Sequence, residues 1–257
     1  MNSVTLDPDA VLWSAAPADR TTRPVLLLLH GYNSSESDLF ALSPFLPSEP
    51  VIASLRAPVS MGHGYAWYPL TPESDRFPHE GSAERQERQE RQERDRFPHE
   101  GSATYQQQRA QDTRDHFPHK GSVEAVDAVL TWLNEHVEPA TSVGLLGFSQ
   151  GAAIAVELLR RAPDRYQFVV MLSGFVITAP QPNDPALADT KPPVLWGRGT
   201  EDRVIPPPLI AHSHDWLSAH TTLTERIYEN LGHSVSPLEL AEVTAFLRDH
   251  YAEEARL

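Results

Sequence analysis

Residues 143–161 read VGLLGFSQGAAIAVELLRR. The first six are apolar or glycine with no polar alternation, which predicts a strand buried on both faces. The last twelve, QGAAIAVELLRR, predict a helix of small residues whose two closing arginines suit the negative end of a helix dipole. Between strand and helix a single residue, Ser149, must turn the chain. Gly147 and Gly151 flank it two residues away on either side, where a side chain would collide with the strand or the helix. A strand that breaks on a serine and at once opens a helix belongs to a sheet whose strands are joined by helices.

Working outward, PVLLLL (24–29), VIASL (51–55), FVVMLSG (168–174) and PPVLW (192–196) are runs of the same kind. TTLTERIYE (221–229) predicts a later strand with a more exposed face, and AVLWSA (10–15) an early edge strand. Over 122–137, Val126, Val129, Leu130, Leu133 and Val137 recur at helical spacing. From Ser236 to Tyr251 a helix opens with Ser236 as cap, Pro237 in the first position and Glu239 closing a capping box. The alternation predicts an α/β fold: a mostly parallel central sheet with helices on both faces and right-handed crossovers. The 257 residues suit one such domain, 1–257.

The stretch 75–121 differs in kind. DRFPHEGSA occurs at 75–83 and again at 95–103, DHFPHKGS follows at 115–122, and ERQERQERQER fills 84–94. With one Phe per copy the repeats have no apolar faces to stack, so they are not a solenoid. His79, His99 and His119 recur in register, but polar copies without a converging second shell are not expected to hold a metal. The expectation is a tandem duplication, flexible or partly helical, inserted into a surface loop, where added length costs little. Without about forty of these residues, WYPL would join one FPH-GS copy over an ordinary loop length.

Composition narrows the function. With no cysteine, disulfides, thiolate metal sites and a Cys nucleophile are excluded. A formal charge of −14 argues against nucleic acid and against an anionic membrane surface, and serves solubility. The opening MNSVTLDPDAVLW lacks the basic and apolar regions of a secretory signal, and no run is long enough to cross a bilayer. A cytoplasmic protein without nucleic-acid partner or membrane span is expected.

The pattern Gly147-Phe148-Ser149-Gln150-Gly151 is G-x-S-x-G in the strand–turn–helix setting of a nucleophile elbow. A serine hydroxyl needs a base, and in this setting the acid and then the histidine follow it along the chain. Of the later histidines, His212, His214 and His220 fall in an expected helix and its end, and His250 at the end of the last helix. His233, in the loop NLGHSVSP, can reach over the sheet edge to Ser149. The acid should lie just past a strand, and WGRGTEDRVIP offers Asp202, with Glu201 as its neighbouring rival. Two backbone donors should hold an oxyanion: the N–H of Gln150, and one from the loop His30-Gly31-Tyr32, for which Tyr32 is chosen. Met61, Trp67, Phe175 and Val204 follow strand ends and are the expected pocket residues.

LLLLHGYNSSESDLF, ASLRAP, AWYPL, GFSQGAA, GRGTEDRVIP and the GH of LGHSVSP together resemble the phospholipase/carboxylesterase family of α/β-hydrolases, over nearly the whole chain outside about 75–115. The resemblance implies a single-domain serine esterase without metal or organic cofactor, a small-molecule ester as substrate, and a monomer or homodimer. It implies Ser149, Asp202 and His233 as the triad, with Tyr32 and Gln150 as oxyanion donors. Short-chain or aryl esters are expected; the alternatives are an acyl thioesterase or lysophospholipase on longer chains, and an interaction protein working through the repeat. Asn33 stands where many relatives have glycine, and asparagine tolerates a left-handed backbone. The repeat has no counterpart in the family pattern; following AWYPL, it would be a flap over the acyl pocket or a neutral duplication.

Overall fold

Strands without polar alternation must be buried on both faces, and the computed structural model, which describes residues 4–70 and 121–254, has them at its centre. The strands are β1 (Leu12–Trp13), β2 (Val25–Leu29), β3 (Val51–Leu55), β4 (Val59–Ser60), β5 (Tyr65–Ala66), β6 (Val143–Phe148), β7 (Val169–Leu172), β8 (Pro193–Gly199) and β9 (Thr222–Tyr228). Seven of them form one sheet in the order β1-β3-β2-β6-β7-β8-β9. β1 runs antiparallel to β3 at one edge, and the other pairings in this sheet are parallel. β4 and β5 make a separate hairpin.

The helices are α1 (Glu36–Phe40), α2 (Ser122–His136), α3 (Gln150–Arg161), α4 (Asp184–Thr190), α5 (Pro207–His220) and α6 (Pro237–Glu254). Along β2, Val25, Leu27 and Leu29 pack in one core with residues of α2, α3 and α5, while Leu26 and Leu28 pack in a second core with Leu39 of α1 and Val243 and Leu247 of α6. All five residues of β2 are fully buried. Burying each is worth roughly 1.5–3 kcal/mol, more than the few tenths by which leucine prefers a helix, so the run becomes a strand. β9 closes the other edge with Arg226 and Ile227 exposed, as its mixed composition foretells.

α4 lies in the connection between β7 and β8; Pro185 stands in its first turn, where a missing N–H costs nothing. The arginines closing α3 depart from the sequence reading in role. Arg161 is exposed and meets Asp127, but Arg160 is 1 % exposed and is no dipole partner at the surface. It donates to both carboxylate oxygens of Asp184 (2.8 and 2.7 Å), to Glu157 (2.5 Å) and to the carbonyls of Ile177 and Ala179 (2.9 and 2.7 Å). A buried guanidinium is tolerable only when its donors are met in this way. It ties the segment after β7, and the start of α4, to α3.

The chain leaves the described region at Leu70 and returns at Gly121, which has φ +101° and would bring a Cβ to 2.8 Å from the Cβ of Tyr68. The rest of the repeat, with His79, His99 and His119, lies outside the described residues. Among the described residues, no helix is long and apolar enough to cross a membrane.

α6 opens with the expected capping box: Glu239 N–H donates to Ser236 Oγ (3.1 Å) and Ser236 N–H to Glu239 Oε2 (3.4 Å). Glu239 is fully buried, and its Oε1 has no hydrogen-bond partner. Burial pushes this carboxyl up to about 7. The folded state therefore holds a proton that the unfolded chain releases near the ordinary value of 4.5, so stability is lost as pH rises through about 7. Glu239→Gln keeps an acceptor for the cap and removes the titration. Denaturant melts from pH 5 to 8 should show the variant gaining on the native protein by on the order of 2 kcal/mol at the upper end.

Candidate active site

Ser149 stands between β6 and α3 with φ 53° and ψ −117°, a strained backbone for a residue with a Cβ. Its N–H donates to Leu172 O at 2.9 Å, which ties the turn to the end of β7. A Cβ on Gly147 would lie 2.5 Å from the backbone of Gly151 and Ala152, and one on Gly151 only 2.0 Å from the carbonyl oxygen of Leu29. Neither glycine has positive φ, so close approach is what requires them. The start of α3 thus presses on the end of β2, and the loop after β2 is brought beside the serine. A Cβ on Gly31 would be 3.5 Å from Ser149 Cβ and 2.9 Å from the Phe148 ring.

The imidazole of His233 lies in the same place. Its Nε2 is 2.9 Å from Ser149 Oγ, its Nδ1 is 2.8 Å from Asp202 Oδ2, and its ring rests on Phe148 with centroids 5.0 Å apart. The two loops that carry the pair are stitched together: Glu201 N–H donates to Leu231 O (2.9 Å), Thr200 N–H to Tyr228 O (3.0 Å) and Asn230 N–H to Thr200 Oγ1 (2.9 Å). Gly199 permits this, because a Cβ there would meet Leu231 O at 1.9 Å.

Asp202 Oδ1 accepts the N–H groups of Val204 (2.8 Å) and Ile205 (3.3 Å), leaving Oδ2 for His233. Burial by itself would raise this carboxyl, but the hydrogen bond and charge of His233, with the two backbone donors, hold it below the ordinary carboxylate range. Glu201 points away, with an exposed side chain 3.8 Å from Arg203. With the imidazole fixed at both nitrogens, Nε2 is the atom able to take the Ser149 proton.

The structure also shows where the other expected residues lie. Gln150 begins α3, so its N–H is one of the first-turn donors without an intrahelical acceptor. Tyr32 follows Gly31 in the loop that abuts Ser149. His30 is fully buried beneath that loop. Its Nε2 accepts the Ala57 N–H (3.1 Å), so the proton sits on Nδ1 and is donated to Gly31 O (2.8 Å). Burial lowers its proton affinity, and it remains neutral. Asn33 has φ 56°, the left-handed backbone expected of the residue in the glycine position.

Of the expected pocket residues, Phe175 packs with Ala153, Ile177, Ile205 and Leu209, and Val204 lies against that cluster. Met61 is part-exposed in the turn between β4 and β5, its N–H bonded to Gly64 O at 2.7 Å. Trp67 is a correction. It is 1 % exposed in the main core and donates its indole N–H to His30 O (2.8 Å), so it buttresses the His30 loop and forms no wall of a cleft. Sequence reasoning also missed the Gln150 side chain, which accepts the Trp67 N–H (2.9 Å) and donates to Tyr68 O (2.8 Å). No periodicity signals either contact. Of the remaining histidines, His220 and His250 bond the carbonyls four residues back in their helices, and His214 meets Glu225.

Residues 105–251 match the family described as phospholipase/carboxylesterase. The chain is 27 % identical over 135 residues to Esterase YpfH of Escherichia coli (strain K12), a match that takes in 51 % of this chain and 56 % of that protein. This stretch is thus just over half the length of the relative. Among solved structures, esterase PE8 superposes with a TM-score of 0.65 at 24 % identity, covering 96 % of this chain and 99 % of its own. A carboxylesterase from Mesorhizobium loti gives 0.63 at 18 % identity, with 96 % and 99 % covered. At these identities the structural likeness is one of fold.

The contact between α3 and β2 can be tested directly. Gly151→Ala must force the Leu29 carbonyl and α3 apart, and urea unfolding should show a loss of about 3 kcal/mol or more. An Ala variant as stable as the native protein would contradict the close approach.

Proposed function

Because the chain belongs to the phospholipase/carboxylesterase family, whose pattern spans residues 105–251, we propose that it is a serine carboxylesterase acting on small carboxylic esters through Ser149, His233 and Asp202. The observation that carries the reading is the 2.9 Å contact between His233 Nε2 and Ser149 Oγ, backed by Asp202 at 2.8 Å. The esterases among its relatives support the same class of reaction.

In the first half-reaction His233 Nε2 removes the Ser149 proton as Oγ attacks the ester carbonyl carbon. The carbonyl oxygen becomes an oxyanion held by the N–H groups of Tyr32 and Gln150, where the amino end of α3 adds positive potential. Collapse breaks the carbon–oxygen ester bond, and the alcohol leaves with the proton from His233. In the second half-reaction His233 takes a proton from water, whose oxygen attacks the acyl-enzyme. Ser149 regains its proton from His233 as the carboxylic acid departs. Asp202 holds the Nδ1–H tautomer and steadies the transient imidazolium. Its depressed proton affinity keeps it ionised through mild acid, so it remains an acceptor for the His233 Nδ1–H there.

Short-chain or aryl esters are the proposed substrates. The cluster of Phe175, Ile177, Ile205 and Leu209 with Ala153, one turn into α3, is apolar and already filled by its own side chains. The same reading treats the chain as one domain interrupted by the repeat, in keeping with the contact of Gly121 on Tyr68.

Ser149→Ala should lower turnover of a nitrophenyl ester by roughly 10⁴-fold or more and abolish fluorophosphonate labelling. Asp202→Asn should cost on the order of 10⁴-fold with little change in stability. Activity unaltered in the Ser149 variant would end the proposal. A nitrophenyl ester series from acetate to palmitate, run beside an acyl thioester, should peak at short chains; a peak at long chains or on the thioester would assign the alternative specificity.

A further inference from the structure

The two oxyanion donors assigned above come from segments far apart in the chain. Pairing of β2 with β6 fixes the strand ends, with Leu29 opposite Gly147, but the donors lie beyond the last paired residues. The contact of Gly151 with the carbonyls of Leu29 and His30 brings the two segments together, and a further tie is needed to fix the loop that carries Tyr32.

We propose that Trp67 is the positioning residue that sets the separation between the Tyr32 and Gln150 N–H groups, an inference that rests on the esterase reading. Trp67 bonds to both sides at once. Its backbone N–H donates to the side chain of Gln150 (2.9 Å), and its indole N–H donates to the carbonyl of His30 (2.8 Å), two residues before Tyr32. Both ends are anchored. The Gln150 carboxamide makes a second bond, to Tyr68 O (2.8 Å), and so grips two successive backbone groups. The His30 ring is fixed by Ala57 N–H and Gly31 O, with its centroid 5.6 Å from the Trp67 ring. Trp67, His30 and Gln150 are 1, 0 and 3 % exposed, so water does not compete for these bonds.

An oxyanion hole acts on charge that develops only in the transition state. A shift of one donor relative to the other therefore lowers kcat and leaves ground-state binding nearly unchanged. A residue lining the acyl pocket would instead raise KM.

Two substitutions remove the indole N–H: Trp67→Phe, which also shrinks the ring, and benzothienylalanine at 67, which keeps the bicycle and has sulfur in place of the N–H. Kinetics on a short nitrophenyl ester should show kcat reduced roughly 10- to 100-fold with KM within about two-fold. Affinity for an arylboronic acid, whose serine adduct places a negative oxygen in the hole, should fall in step with kcat. If the Phe variant does not fold, the benzothienyl protein decides. Both kcat and boronate affinity within two-fold of native would overturn the inference, as would a loss confined to KM. Native and Ser149→Ala proteins run alongside separate the two levels. Serine-dependent turnover in the native protein upholds the esterase reading whatever the Trp67 variants do, and its absence removes that reading and this inference with it.

Discussion

The amino end of α3 touches the carboxyl end of β2 with no room for a methyl group between them. A Cβ on Gly151 would approach Leu29 O to 2.0 Å and His30 O to 2.4 Å. Nearly every feature of the site follows from this contact. It allows Ser149 to leave β6 and start a helix without a connecting loop. It sets the first N–H groups of α3 beside the loop after β2. It also brings the Gln150 side chain within reach of Trp67 and Tyr68. The backbone strain at Ser149, φ 53°, is held by hydrogen bonds on both sides, from its own N–H to Leu172 and to its carbonyl from Ala152 and Ala153.

Around that contact the protein buries polar groups at a density that would be costly if any were left unmatched. His30 is kept neutral in one tautomer by an N–H donor on one side and a carbonyl on the other. Asp202 has both oxygens occupied. Arg160 fixes the segment that follows β7 from a position with almost no solvent contact. Glu239 is the unmatched carboxylate among the described residues: one oxygen of this fully buried group has no partner, and it lies where a Cβ on Gly197 would touch it at 2.1 Å. That pressure sits between the strand leading to Asp202 and the helix following His233, so the same packing that aligns the acid and the base carries an unfavourable charge when Glu239 ionises.

Much of this was legible in the chain. Runs such as VLLLL and VGLLGF have one stable use in a globular protein, as strands covered on both faces, and the Ser-Pro-x-Glu start of α6 states its own cap. Order along the chain was enough to select His233 and Asp202 as candidates, and their loops do meet at Ser149. What escaped were contacts that have no period and no motif. Trp67 reads as an aromatic residue near a strand end, equally suited to a pocket wall or a core; only its burial and its two donors distinguish these. Arg160 and Arg161 are adjacent and chemically identical, yet one is buried and one exposed, because 100° of helix rotation turns one toward the segment after β7 and the other toward Asp127.

The sequence by itself determined the class of fold, the strand and helix that meet at Ser149, and the order in which serine, acid and histidine appear, because these are properties of neighbouring residues and of hydrophobic pattern. Only the tertiary structure decided which groups share a hydrogen bond: which carboxylate faces His233, which tautomer His30 adopts, and that Trp67 bonds both the Gln150 side chain and the carbonyl of His30. Hydrogen bonds depend on distances of a few tenths of an ångström, and Ser149 and His233 are 84 positions apart in the chain; such distances are set by packing.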